Sequence, residues 1–149
     1  DIPWTYHVYG QGSLENSLKH TARTLGIADR VIWHGQHTDM AHAFKEIDVV
    51  VQPSLWEGMS LVVLESMAAG RLVVTSVAAG SGIIEDGVTG YLCETGNATD
   101  LSRVLRTIVE NPKDSMHIAK QGRVQVEKHF DIKNHYRAIK NLYSSLLSF

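Results

Sequence analysis

The sequence predicts an α/β fold: a Rossmann-like parallel sheet with helices on both faces, followed by a C-terminal helical extension. Two observations carry this. Short apolar runs alternate with helix-length segments as far as residue 93, the alternation that builds parallel sheets. The runs are also continuous rather than alternating in polarity, as in Val49-Val50-Val51 and Leu72-Val73-Val74. Strands of that kind are covered on both faces.

Each element has its own signal. Residues 5–9 read as a strand that stops at Gly10-Gln11-Gly12. Ser13 is suited to cap a helix running to about residue 25, with Leu14, Leu18, Ala22 and Leu25 at steps of three and four, and Gly26 ends it. Residues 31–34 form the second strand, closed by Gly35, and Thr38 or Asp39 can cap a short helix through about Glu46. Residues 48–52 are the third strand, which Pro53 stops. Residues 60–69 have the length of a helix that is apolar on nearly every face, so burial is expected. Gly70 ends it, and residues 72–75 make the fourth strand. A turn at Glu85-Asp86-Gly87 leads to a short strand over residues 90–93, and helices follow at about 99–110, 113–129 and 132–147.

Composition bounds the function. The 149 residues suit one domain. A net charge of -2 argues against a dedicated nucleic-acid binder. The single cysteine, Cys93, excludes an internal disulfide framework and a cysteine-based zinc site. No apolar run reaches the length of a membrane span, and Asp1-Ile2-Pro3-Trp4 has no basic-then-apolar signal pattern. Residues 101–149 carry nine basic and four acidic side chains. Because the two signs interleave, solvated helix faces are the favoured reading over an anionic partner.

Ligands of open α/β sheets bind at the carboxyl ends of the strands. Three loops lie there: Gly10-Gln11-Gly12, Gly35-Gln36-His37, and residues 53–60. The third enters the N-terminus of the apolar helix, whose free N–H groups suit a phosphate, and Gly58 permits close backbone approach. Glu65 lies within that apolar helix and needs donors if buried. It pairs either with a backbone turn or Arg71, or with ligand hydroxyls such as a ribose diol. Glu57 is either an exposed loop residue or a carboxylate facing a neutral or developing-positive group. Gly10-x-Gly12 lacks the third glycine of a dinucleotide fingerprint, since position 15 is Glu15, and reads first as a turn. His34, His37 and His42 lack the carboxylate pattern of a metal site. Trp4, Trp33 and Trp56 read as packing residues, with Trp56 also a candidate to line a cleft.

Taken together, these segments resemble the donor-binding C-terminal domain of retaining GT-B glycosyltransferases of family 4 (group 1). The resemblance runs through Val8-Tyr9-Gly10-Gln11-Gly12, residues 25–31, Asp48 to Ser54, Trp56-Glu57-Gly58, residues 64–70 and residues 84–90. Glu57 and Glu65, with seven residues between them, match the family's paired glutamates. The resemblance implies that Glu65 accepts the ribose hydroxyls and that Glu57 sits by the donor sugar. It implies that Gly58, Met59, Ser60 and Leu61 meet the sugar and diphosphate, and that Gly10, Gly12, Gly35 and Gln36 let the nucleotide approach. Met59-Ser60 stands where relatives carry Phe-Gly, and Arg71 stands where Pro is common.

The resemblance further implies a nucleoside-diphosphate sugar, UDP-linked by preference, as substrate, with no metal and no other cofactor. Residues 1–149 would be a single donor domain lacking its first strand, an Arg–Lys diphosphate clamp and the acceptor-binding N-terminal domain, and would be inactive alone. The final helix, with Tyr136, Ile139, Leu142, Tyr143, Leu146 and Phe149, is similar to the segment that crosses back onto that domain. The parent would be a cytoplasmic hexosyltransferase of polysaccharide or lipopolysaccharide biosynthesis, peripheral at the membrane. Two alternatives stand beside it: a non-catalytic nucleotide-sugar binding module, and a nucleotide-sugar epimerase of the same fold.

Overall fold

β-Branched and aromatic residues concentrate in five short runs, and these are the strands: β1 (Tyr6–Tyr9), β2 (Val31–Gly35), β3 (Val49–Gln52), β4 (Leu72–Ser76) and β5 (Tyr91–Cys93). The structure, a computed structural model, describes residues 3–147. Phe149, expected on the final helix, lies outside the described residues, as do Asp1, Ile2 and Ser148. The strands pair in parallel as expected, β1 with β2 and β3–β4–β5 in that order. The chain divides into two compact units, Asp1–Met40 and Ala41–Phe149, and each holds one of these sheets.

In the first unit, α1 (Glu15–Thr24) connects the two strands and buries Ala22. Ser13 does not cap it. The N-cap is Leu14, and the Glu15 N–H donates to the Gly12 carbonyl. A backbone turn thus occupies the place the serine was expected to fill. The far end closes as predicted: Gly26 adopts φ +68°, its N–H donates to Arg23 O, and that of Ile27 donates to Ala22 O.

The second unit begins one residue into α2 (Met40–Ala43), which runs through a 3-10 turn (Phe44–Glu46) into β3. Then come α3 (Leu61–Ala68), β4, α4 (Val77–Gly80), β5, α5 (Ala98–Glu110), α6 (Pro112–His129) and α7 (Ile132–Leu146). α4 was not expected from the sequence, because a helix of four residues is too short to show a period. All five residues of β4 are buried. Leu72 and Val74 join Cys93, Val104, Ile108, Ile118 and Ala119 in one apolar cluster, which places α5 and α6 on one face. Thr75 points to the opposite face, where it meets the backbone of Gly80 on α4. Covering on both faces explains the unbroken apolar runs. The basic C-terminal third is partly paired, Arg103 with Asp100 and Arg123 with Glu127. No residue of α7 is buried, and its apolar side chains, Tyr136 and Leu146 among them, are exposed.

Gly122 marks where α6 approaches most closely. A Cβ there would lie 2.4 Å from the Thr89 carbonyl oxygen and 3.4 Å from Met67 Cε. Backbone cannot yield as a side chain can. Gly122→Ala is expected to destabilise the second unit by about 1–3 kcal/mol, read as a lower urea midpoint. An unchanged midpoint would contradict this packing.

Candidate functional site

The loop after β3 is shaped by its neighbour strand. Thr75 and Ser76 end β4, and both are fully buried. A buried hydroxyl must find a partner. Thr75 Oγ1 donates to the Gln52 carbonyl at 2.8 Å, and Ser76 Oγ donates to the Ser54 carbonyl at 2.5 Å. Pro53, between them, offers no N–H. The backbone at Gln52 and Ser54 is therefore held from β4.

The side chains of the same two residues converge on Glu57. Ser54 Oγ donates to Glu57 Oε1 at 2.9 Å, and Gln52 Nε2 donates to the same oxygen at 3.2 Å and to Ser54 Oγ at 3.1 Å. Among the described residues, nothing bonds Oε2. Glu57 is half-buried, so it is neither a core residue nor a loose loop carboxylate. Sequence reasoning missed Gln52, Ser54, Thr75 and Ser76. The signal for the last two was a Thr-Ser pair closing an otherwise apolar strand.

Next along the chain, Ser60 is buried and caps α3, its Oγ accepting from the Val63 N–H at 3.4 Å. The N–H groups of Leu61 and Val62 head the helix with no carbonyl four residues back to bond. Gly58, Met59 and Leu61 are exposed around this helix start, and Trp56, at 81% exposure, belongs to no core. Gly58 has neither a left-handed backbone nor any atom within 4 Å of where a Cβ would lie. The chain itself gives no reason for glycine there.

Glu65 corrects one expectation. The all-round apolar pattern predicted a buried α3, but Leu61, Glu65 and Ala68 are exposed along one stripe. The helix buries Val63, Ser66 and Met67, and its other side is uncovered. Glu65 therefore has no burial cost to offset. Nor is Arg71 its partner, because that guanidinium donates to the carbonyls of Ala69 and Ile47. Among the described residues, the Glu65 carboxylate accepts no hydrogen bond.

In the first unit, the structure brings Gly10 and Gly35 together. The Gly10 N–H donates to Gly35 O at 2.8 Å, with φ of +127° and +65° at the two residues. Both conformations favour glycine. Gly12 and Gln36 are exposed beside them. An aromatic row not foreseen from the sequence also lies on these strands. Tyr9 and His34 stack with centroids 4.3 Å apart, and His7 Nδ1 lies 3.0 Å from His34 Nε2. Its signal was the two-residue spacing of His7 and Tyr9. Among the described residues, no three His, Cys, Asp or Glu side chains group as metal ligands.

The second unit thus presents a carboxylate with one tethered and one free oxygen, a helix start with open N–H groups, and an exposed carboxylate one turn into that helix. A family model described as Glycosyl transferases group 1 matches residues 1–125. The chain belongs to this family. It is 33% identical over 141 residues to the lipopolysaccharide core biosynthesis mannosyltransferase LpsB of Rhizobium meliloti (strain 1021), covering 91% of this chain and 39% of that protein. Its fold is similar to that of Anabaena Alr3699/HepE in complex with UDP, with TM-score 0.89 and 25% identity over 95% of this chain and 41% of that one. It is also similar to the C-terminal domain of the group 1 glycosyltransferase LpcC from Francisella tularensis, with TM-score 0.81 and 26% identity over 87% of this chain and 71% of that one. The fold is that of the C-terminal half of a GT-B glycosyltransferase. The chain spans about two-fifths of the length of LpsB and of HepE.

The β4 hydroxyls give this group 1 domain a measurable anchor. Ser76→Ala removes the donor to Ser54 O and is expected to cost about 1 kcal/mol of stability, read by urea unfolding. An unchanged midpoint would show that the anchor contributes nothing to the fold.

Proposed function

We propose that this chain is the donor-binding part of a retaining glycosyltransferase of hexosyltransferase type. The whole enzyme would move a sugar from a UDP-sugar to a glycan or lipid-linked acceptor. The observation that carries this reading is the segment from Gln52 to Glu65, which sets the free oxygen of Glu57, the open start of α3 and the unbonded carboxylate of Glu65 along one loop and helix. The UDP complex of HepE supports the nucleotide, and the LpsB likeness supports an acceptor in lipopolysaccharide core biosynthesis. In this reading the enzyme works at the cytoplasmic face of a membrane. Among the described residues, no helix is long and apolar enough to cross one.

In this reading, Glu65 accepts both ribose hydroxyls. The backbone from Gly58 through Met59, Ser60 and Leu61 meets the diphosphate, where the helix N–H groups stabilise charge on the departing group. Gly58 is then glycine because the ligand, not the chain, needs the space. Glu57 orients the donor sugar through its free oxygen. For the first unit by itself, the reading keeps Gly10, Gly12, Gly35 and Gln36 as positions that let a nucleotide approach the backbone. The reading assigns no metal and no other cofactor. Cations that clamp the diphosphate and an acceptor-binding domain would come from outside these 149 residues.

Ligand-observed NMR titration with UDP, GDP and ADP tests this on the wild type and Glu65→Ala. UDP is expected to bind most tightly, with affinity falling at least about tenfold on the substitution, as suits a charge-assisted hydrogen bond. Equal binding by both proteins would overturn the ribose assignment. A preference for GDP or ADP would overturn the choice of UDP.

A further inference from the structure

We propose that Ser54 and Gln52 are positioning residues for the Glu57 carboxylate, locked in turn by the buried hydroxyls of Ser76 and Thr75. This rests on the role given to Glu57 above. The protons of the cluster balance. Gln52 Nε2 carries two protons and donates to both Ser54 Oγ and Glu57 Oε1. The Ser54 hydroxyl proton goes to the same Oε1. Glu57 therefore takes two donors on one oxygen and, among the described residues, none on the other. A glutamate on a loop has three freely turning side-chain bonds. Two donors on one oxygen fix the carboxylate plane and leave Oε2 as the face a ligand meets.

Such a device works only if the donors are themselves fixed. Gln52 and Ser54 flank a proline at the end of β3, where the ladder gives out. The register pairs Gln52 with Thr75 as the last rung between β3 and β4. Beyond that rung, Ser76 reaches one step further, to Ser54 O. The restraint thus passes from a fully buried strand to a backbone and from that backbone to one carboxylate. Every link is a hydrogen bond within one compact unit.

The test uses the full-length enzyme with whichever of UDP-glucose, UDP-galactose and UDP-N-acetylglucosamine turns over fastest. UDP release gives kcat and the donor KM, and calorimetry gives the UDP Kd. Ser54→Ala is expected to lower kcat about tenfold, the scale of a modest misplacement of a catalytic group. KM and Kd should stay within about twofold, since nothing uniform in binding is lost. Ser54→Thr keeps the hydroxyl and should recover most of the rate. In a Glu57→Ala background, Ser54→Ala should cost no more than about twofold, because the group it positions is gone. An equal loss in both backgrounds would overturn the proposal, and so would a raised KM with kcat intact. Full activity in Glu57→Ala alone would overturn the role of Glu57 itself, a result distinct from either.

Discussion

Burying β4 on both faces leaves Thr75 and Ser76 no water to bond, and both turn to the backbone of the loop after β3. That requirement shapes the candidate site. A loop that crosses the end of a sheet is ordinarily among the more mobile parts of a fold. Here its first residues are tied to the most buried strand of the unit. Pro53 adds to the restraint by fixing its own φ. The loop then delivers Glu57 with one oxygen already bonded and carries the chain to Ser60, which caps α3.

The glycines separate two kinds of constraint. Gly10, Gly26, Gly35 and Gly70 have φ between +65° and +127°, and the backbone alone accounts for them. Gly122 has an ordinary backbone but no room, and packing accounts for it. Gly58 has an ordinary backbone and open space. Neither folding nor packing explains it, which is why the proposed function assigns it to ligand approach. The same logic applies to Glu65, an acid that the fold neither buries nor pairs.

α3 shows how composition can mislead about burial. Val63 and Met67 are fully buried, while Leu61, Glu65 and Ala68 are exposed. An eight-residue helix has about two turns, and one side is enough to hold it against its sheet.

The sequence by itself determined the α/β class, the parallel pairing and most helix ends, because these follow from short-range rules. Continuous valine runs mean two-sided burial, and Gly26 and Gly70 close helices by a conformation that favours glycine. It also singled out Glu57, Glu65 and the helix start between them, since charges amid apolar residues stand out in one dimension. Only the tertiary structure decided how those charges are treated. Gln52, Ser54 and Glu57 form one cluster because β4 fixes the loop from 22 or 23 residues away in sequence. Arg71 is spent on carbonyls rather than on Glu65, and the exposed stripe of α3 is set by what covers it. Hydrogen-bond partners and burial are properties of neighbours in space, and no period or spacing along the chain encodes them.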